Sequence, residues 1–342
     1  MDMLVETIAP EHEFRHRPDD DPAYNESTYY NFSSSEAGIT GWVRVAMQPN
    51  QPSAQAGILL FLPGETLFDY RRTREVSPDQ LSAGGLHIEI VVPLEKQRLR
   101  YEGTLASFAD PRVLSTPSDA FKKAPRRQVT IDLTVEGDGR SFGTNGDDPA
   151  NVVESTMALG HFEQFITVSG EITVDGASHS LDGAGLRDHS WGPRDWAGPL
   201  WYRWITASLD DGSAIMVLYV ARRDGEVTRE AAVVRDGVLS AAEFENVTVT
   251  WTPDGFGERV VCALQTDDGP LTLTATAKEP ATFAPLRHSR TDDDGTVLDT
   301  RIGYAPYEFL TSDGRRGTGI VEILDQMVDG LPIGMRTATD SR

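Results

Sequence analysis

Apolar and polar residues alternate with a period of two along most of this chain, which is typical of half-buried β-strands. The alternation is clearest in residues 129–135, 165–174 and 271–277. Residues 215–220 are continuously apolar, as expected for a strand that is covered on both faces. A helix is predicted only for the short segment 116–123. The pattern therefore predicts an all-β protein.

Asp-Gly pairs punctuate these predicted strands and occur eleven times. Both residue types tolerate the positive φ of tight hairpin turns, so many short strands joined by such turns predict a β-sandwich or β-barrel. Strands are similar in number before and after residue 182, so we expect domains at 23–182 and 183–342. Residues 1–22 are acidic and contain proline, which predicts a flexible N-terminal arm, either disordered or loosely docked.

The amino-acid composition argues against some classes of binding partner. The chain has 342 residues and a net charge of −22, which argues against binding to nucleic acid or to an anionic membrane surface. Its apolar runs are shorter than the roughly 20 residues that span a bilayer, and the N-terminus does not resemble a secretory signal, so we expect a cytoplasmic protein without stable membrane insertion. Cys262, the one cysteine, lies in an apolar run and is predicted to be a buried hydrophobe.

Residues 185–196 concentrate the charged and aromatic side chains that could perform chemistry. One interpretation is structural: Arg187 and Arg194 pair with Asp188 and Asp195 and lock a turn, since paired arginines commonly satisfy buried carboxylates. The other interpretation is catalytic. Asp188 would orient His189 as a general acid or base, and Trp191 would offer its π-face to a developing cation.

Two further groups of residues could complete a site. His161 with Glu163, and His87 with Glu89, are His-x-Glu pairs whose members share one face of a strand. Such pairs could supply an acid–base couple, or metal ligands if His87, His161 and His189 came together. Five aromatic residues after the motif could wall an apolar pocket, although core packing explains each of them as well: Trp196, Trp201, Tyr202, Trp204 and Tyr219.

The motif also carries a family resemblance. Residues 188–192, with Gly185 before them and 194–196 after them, resemble the signature of the carotenoid 1,2-hydratase group and its AttH-like relatives. Residues 38–44 and 161–164 resemble further segments of that group. The resemblance implies two lipocalin-like antiparallel β-barrels in tandem and cofactor-independent addition of water or cyclisation. Residues 27–32 depart from the family pattern, so we do not carry over carotenoid as the substrate.

Our leading hypothesis is therefore a cofactor-independent enzyme, without metal, that acts on a hydrophobic terpenoid or polycyclic small molecule as a hydratase or dehydratase, an isomerase or a cyclase. His189 would donate or relay the proton, Asp188 would orient it and Trp191 would stabilise the cation. Glu163 with His161 would activate water. A non-catalytic lipocalin-like carrier of an apolar ligand and a metal-dependent enzyme are the alternatives, and the sequence does not predict the oligomeric state.

Overall fold

The computed structural model describes residues 8–74, 76–77, 80–146, 157–278, 282–291 and 295–339. Within these ranges β-strands predominate and the helices are short. Two are 3-10 helices, Pro10–Glu13 and Pro111–Ser115, and two are α-helices, α1 (Pro117–Lys123) and α2 (Ile333–Thr339). The helix α1 confirms the one predicted from sequence. None of the described helices is both long enough and apolar enough to cross a bilayer.

The chain divides into two compact units. Unit 1 comprises residues 1–109 and 124–195, and unit 2 comprises residues 110–123 and 196–342. This division differs from the boundary that we placed at residue 182. The strand that carries the motif pairs on both sides within unit 1, so residues 183–195 belong to unit 1 rather than to the start of a second domain.

Eleven strands of the described residues build the sheet of unit 1. They are β1 (Tyr24–Ser34), β2 (Ile39–Gln48), β3 (Ser53–Leu62), β4 (Glu65–Thr73), β5 (Leu81–Ala83), β6 (Leu86–Val92), β7 (Lys96–Phe108), β8 (Arg126–Glu136), β9 (Phe142–Thr144), β10 (Gly160–Val174) and β11 (Ala177–Pro193). Their order is β4-β3-β2-β1-β11-β10-β8-β7-β6-β5, and β9 pairs with β10. Because β4 also pairs with β7, eight of these strands close into an antiparallel barrel.

The described residues of unit 2 form a second antiparallel sheet with the same arrangement. Its strands are β12 (Pro199–Leu209), β13 (Ala214–Arg222), β14 (Val227–Arg235), β15 (Val238–Ala241), β16 (Glu243–Trp251), β17 (Gly257–Thr266), β18 (Gly269–Ala277), β19 (Ala284–Thr291), β20 (Val297–Thr311), β21 (Arg316–Val328) and β22 (Leu331–Pro332). The order is β15-β14-β13-β12-β21-β20-β18-β17-β16, while β19 pairs with β20 and β22 with β21. In both units the first long strand lies beside the last one, so the predicted all-β fold of two lipocalin-like barrels is confirmed.

Tight turns connect these strands where the sequence predicts them. Asp175 and Gly176 have φ of 48° and 84° and join β10 to β11 as a two-residue hairpin. Asp236-Gly237 and Asp329-Gly330 have the same pair of positive φ angles. A type I′ turn requires this conformation at both central residues, and an Asp-Gly pair adopts it at low cost.

The N-terminal segment, which we define as residues 8–22, is packed onto unit 1, whereas its polarity predicted a flexible arm; residues 1–7 of the predicted arm lie outside the described residues. Ile8 and Glu13 are buried. Farther along the segment, the side-chain amide of Asn50 donates hydrogen bonds to the backbone oxygens of Asp19 and Asp21. The segment therefore contributes side chains to the interior of unit 1.

Each unit has its own apolar core on the inner face of its sheet. The core of unit 1 includes Tyr30, Val43 and Leu133, and the core of unit 2 includes Val217 and Cys262. Burial raises the pKa of the Cys262 thiol to about 12. Cys262 is therefore the buried hydrophobe that the sequence predicts.

Candidate functional site

The motif lies on β11, between β1 and β10, and strand geometry divides its residues between two faces of the sheet. Successive side chains of a strand point to opposite faces, so Asp188 and His189 cannot share a site. His189 lies on the inner face, because its register partner Thr28 is two residues from the core residue Tyr30. Asp188, opposite Glu163, lies on the outer face. The predicted Asp188–His189 pair is therefore wrong.

The carboxylate that contacts His189 is Glu26, which we did not predict. His189 Nε2 lies 3.2 Å from Glu26 Oε1, and both side chains are buried. His16, from the N-terminal segment, places its Nδ1 2.9 Å from the same oxygen. We call His16, Glu26 and His189 the inner-face cluster.

The charge of Glu26 is strongly stabilised by its surroundings. Burial acts to raise the pKa of this carboxyl group, but hydrogen bonds from His16 and His189 outweigh burial and hold the pKa well below its usual value. Arg15 also donates a hydrogen bond of 2.9 Å from Nε to Glu26 Oε2. Both oxygens of the carboxylate are thus satisfied by cationic or imidazole groups.

The side chain of Trp191 lies on the inner face and packs against histidine rings. Its indole stacks on His16 with ring centres 3.7 Å apart, and the ring of His12 lies beside both, 5.3 Å from that of His16 and 5.5 Å from the indole. Gly160 is the register partner of Trp191 and leaves room for the indole, because a Cβ there would lie 2.1 Å from it. With 7% of its surface exposed, Trp191 is placed to fix His16 rather than to face a substrate.

Arg187, next along the inner face, forms a buried structural ion pair. Its guanidinium donates two hydrogen bonds of 2.7 Å to the carboxylate of Glu13 and one of 2.8 Å to Gln164. The sequence predicts a salt-bridge knot at this arginine, but with Asp188 as its partner. The partner is Glu13, since Asp188 points to the opposite face.

The outer face brings together three residues that we predicted as functional: His161, Glu163 and Asp188, here called the outer-face cluster. His161 Nε2 lies 3.5 Å from Asp188 Oδ2 and 3.8 Å from Glu163 Oε1. The side chains of His161 and Asp188 keep 18% and 15% of their surface exposed, whereas that of Glu163 keeps 2%. The same imidazole nitrogen thus approaches two carboxylates, and two of the three side chains are partly exposed.

Aromatic residues lie on the same outer face and were not predicted as part of a site. Tyr29 is the register partner of Asp188. Its ring centre lies 5.8 Å from that of Trp42, which in turn lies 6.3 Å from that of Phe68. The signal available in the sequence was the alternation of β1, which places Tyr29 on the face opposite Tyr30.

The five aromatic residues predicted to wall a pocket all lie in unit 2. Trp201 and Tyr219 contact each other edge to face at 4.8 Å on the inner face, where they pack against the core. Tyr202 and Trp204 alternate with Trp201 along β12 and point to the outer face, where Tyr202 donates a hydrogen bond to Glu322. Trp196 stacks on His288 at 5.1 Å.

The histidines of the predicted metal site do not come together. His161 and His189 lie on opposite faces of the unit 1 sheet, and His87 on β6 is exposed and hydrogen-bonded to Ser82. His87 instead lines an open cavity of about 460 Å³, together with Phe14 and Arg15. Within the part of the chain that the structure describes, the histidine and carboxylate atoms close enough to hold an ion are those of the inner-face cluster.

Solved structures with the same fold include a putative AttH from Nitrosomonas europaea and CghA. The AttH structure is 14% identical, with a TM-score of 0.56, and the match covers 91% of this chain and 95% of that chain. CghA with Sch210972 is 14% identical, with a TM-score of 0.57, and the match covers 89% of each chain. Kievitone hydratase from Nectria haematococca is 13% identical, with a TM-score of 0.49 and 94% of each chain covered.

Sequence comparison identifies the family. No curated protein matches the chain in sequence. A family model described as Domain of unknown function (DUF7064) matches residues 9–327, which include the N-terminal segment from residue 9, both clusters and most of unit 2. The chain therefore belongs to the family of DUF7064 proteins, with a fold similar to that of AttH-like proteins.

Proposed function

We propose that this protein is an acid–base enzyme for a hydrophobic small molecule and that the outer-face cluster is its proton-transfer site. The reaction would be hydration or dehydration, isomerisation or cyclisation. The approach of His161 Nε2 to both Asp188 and Glu163, at 3.5 and 3.8 Å, carries the proposal. Such contacts are often longer without substrate than in the reacting complex.

The outer-face cluster can supply both an acid and a base. Two neighbouring carboxylates stabilise an imidazole that carries a proton, so His161 can donate that proton to one carbon of an alkene. Water then adds to the other carbon, and the proton that this water loses passes to Asp188. Return of that proton from Asp188 to His161 restores the starting state, and the reverse sequence eliminates water.

The three side chains of the outer-face cluster differ in exposure, and this suggests which of them contact the ligand. Glu163 is buried beside His161 Nε2, whereas His161 and Asp188 keep 18% and 15% of their side-chain surface exposed and can contact a ligand. Tyr29 and Trp42 lie on this face beside the cluster, but they are only 5% and 3% exposed, so they pack behind it and do not present an open π-face to a cation. Trp191, which the sequence predicted as the cation stabiliser, lies on the other face.

Two comparisons support the proposal. The motif resembles that of the carotenoid 1,2-hydratase group, which implies acid-initiated chemistry without a cofactor. CghA, which has the same fold, has been solved with Sch210972, and this supports a small-molecule site in such a fold. A carrier that holds its ligand inside a barrel is less well supported, because buried apolar side chains occupy the inner faces of both sheets.

The test begins with compounds extracted from protein purified from its own host. Each compound is incubated with the full chain in D₂O, and mass spectrometry follows deuterium incorporated into carbon-bound positions. We expect incorporation with the unaltered protein, a loss of at least about 100-fold with His161→Asn, and little change with His179→Asn on the same strand as Asp188. Binding without incorporation would indicate a carrier, and full activity of His161→Asn would place the chemistry elsewhere.

A further inference from the structure

The inner-face cluster has the composition and geometry of a metal site. His16 Nδ1 lies 2.9 Å from Glu26 Oε1, and His189 Nε2 lies 3.2 Å from the same oxygen. The three potential ligand atoms all lie within 4.8 Å of one another. In a tetrahedral zinc site, ligands about 2.0–2.2 Å from the ion lie roughly 3.3–3.6 Å apart. Small side-chain movements would therefore suffice to admit an ion.

We propose that His16, Glu26 and His189 bind one divalent transition-metal ion, with Zn²⁺ as the best match. Two imidazoles favour zinc and similar ions over Mg²⁺ or Ca²⁺, which prefer oxygen ligands. Three protein ligands leave a fourth position for water or another small ligand. The proposal is independent of the proposed reaction, because the outer-face cluster lies on the opposite side of the sheet.

Neighbouring residues hold the proposed ligands in place, as the surroundings of metal sites usually do. The ring of His16 is stacked on Trp191, and its Nε2 lies 3.0 Å from His12 Nδ1. Arg15 binds the second oxygen of Glu26, which leaves Oε1 directed at the two histidines. The ligands are thus oriented before an ion arrives.

The position of the cluster in the chain indicates what the metal would do. His16 belongs to the N-terminal segment, whereas Glu26 and His189 belong to β1 and β11 of the barrel. A shared ion would therefore tie the segment to the barrel. Metal binding at the cluster should therefore raise the free energy of unfolding of unit 1, because an ion that binds only the folded state adds its binding free energy to the stability of that state.

The experiment uses the full chain after removal of metal with EDTA. The protein is titrated with Co²⁺, whose visible spectrum reports nitrogen and oxygen ligation, and is then loaded with Zn²⁺ for elemental analysis after gel filtration. We expect one ion per chain, a higher Tm with Zn²⁺, and at least about 100-fold weaker binding in His16→Gln. His179→Gln, which alters a histidine outside the cluster, should bind as the unaltered protein does.

A second variant keeps the test decisive if His16→Gln fails to fold. His12→Gln retains all three ligands but removes the group beside His16 Nε2, so we expect about 10–100-fold weaker Co²⁺ binding. An unaltered protein that retains no ion would overturn the proposal, as would His16→Gln and His12→Gln that both bind Co²⁺ normally. Neither Co²⁺ binding nor Tm depends on turnover, so the metal proposal and the proposed reaction can be overturned separately.

Discussion

At the scale of single residues, the inner face of unit 1 converges on Glu26. Its two carboxylate oxygens lie within hydrogen-bonding distance of His16, His189 and Arg15. A buried carboxylate is costly unless it is paired, and here the partners come from both the barrel and the N-terminal segment. Glu26 therefore links the N-terminal segment to the strands of the barrel.

The surroundings of Glu26 lead to a prediction of how the stability of the metal-free protein depends on pH. The pKa of Glu26 in the folded state is held below its usual value of 4.5, so its ionised form contributes stability that is complete above pH 4.5 and is lost as the pH falls through the folded-state pKa. We expect Glu26→Gln to weaken the dependence of the unfolding free energy on pH below 4.5. Urea unfolding at a series of pH values, in EDTA, measures this dependence.

Glu136→Gln is the matched control for that experiment. Glu136 forms an exposed ion pair with Lys96 at 2.9 Å, and exposed pairs contribute little to stability. Its substitution should leave the acid limb of the stability curve close to that of the unaltered protein. An acid limb that is the same in Glu26→Gln and the unaltered protein would show that the inner-face cluster does not stabilise the carboxylate.

At the scale of elements, the N-terminal segment is attached through the ion pair between Glu13 and Arg187. Both side chains are fully or almost fully buried. Removing one member of a buried pair leaves the other uncompensated, which costs about 3–5 kcal/mol. We therefore expect Glu13→Ala to lower the free energy of unfolding by about that amount, as measured by urea denaturation.

Glu11→Ala provides the comparison within the same 3-10 helix. Glu11 is exposed, so its loss should change the unfolding free energy by less than about 0.5 kcal/mol. Equal effects of the two substitutions would mean that the segment is held by its general charge rather than by the buried pair. Limited proteolysis of the segment should follow the same order, with Glu13→Ala cleaved fastest.

The same element shows which parts of the structure could be predicted from sequence. Alternation and Asp-Gly turns predict the strands, because a strand has a fixed period and a two-residue hairpin has few conformations. The polar composition of the N-terminal segment suggested flexibility. That inference failed because Glu13 is paired with Arg187 on β11, far away in the sequence, and His16 with Glu26 on β1, and the local sequence pattern reveals neither partner.

The candidate site could be predicted only in part, for a related reason. His161 and Glu163 were expected to share a face because they are two residues apart on a strand, and the structure places them on one face. Asp188 was assigned to its sequence neighbour His189, although the same rule separates them. The true neighbour of Asp188, Glu163 on β10, depends on the register between two strands, and a shift of one residue would exchange the faces.

At the scale of the whole molecule, the two sheets repeat one strand order, but the chain does not divide at a single point. Residues 110–123 lie in the sequence between β7 and β8 of unit 1 and belong to unit 2. Leu114 in this insertion is 1% exposed. A fragment that begins at residue 196 would therefore lack a buried part of unit 2.

This organisation predicts that Leu114 stabilises unit 2, and Cys262 in the unit 2 core can report it. The buried thiol reacts only when unit 2 opens, so its labelling rate by a thiol reagent measures that opening. Leu114→Ala should cost about 2–5 kcal/mol and so accelerate labelling by at least about 30-fold. Leu99→Ala removes an equally buried side chain from the core of unit 1 and should accelerate labelling less. Unchanged labelling in Leu114→Ala would show that Leu114 does not stabilise unit 2.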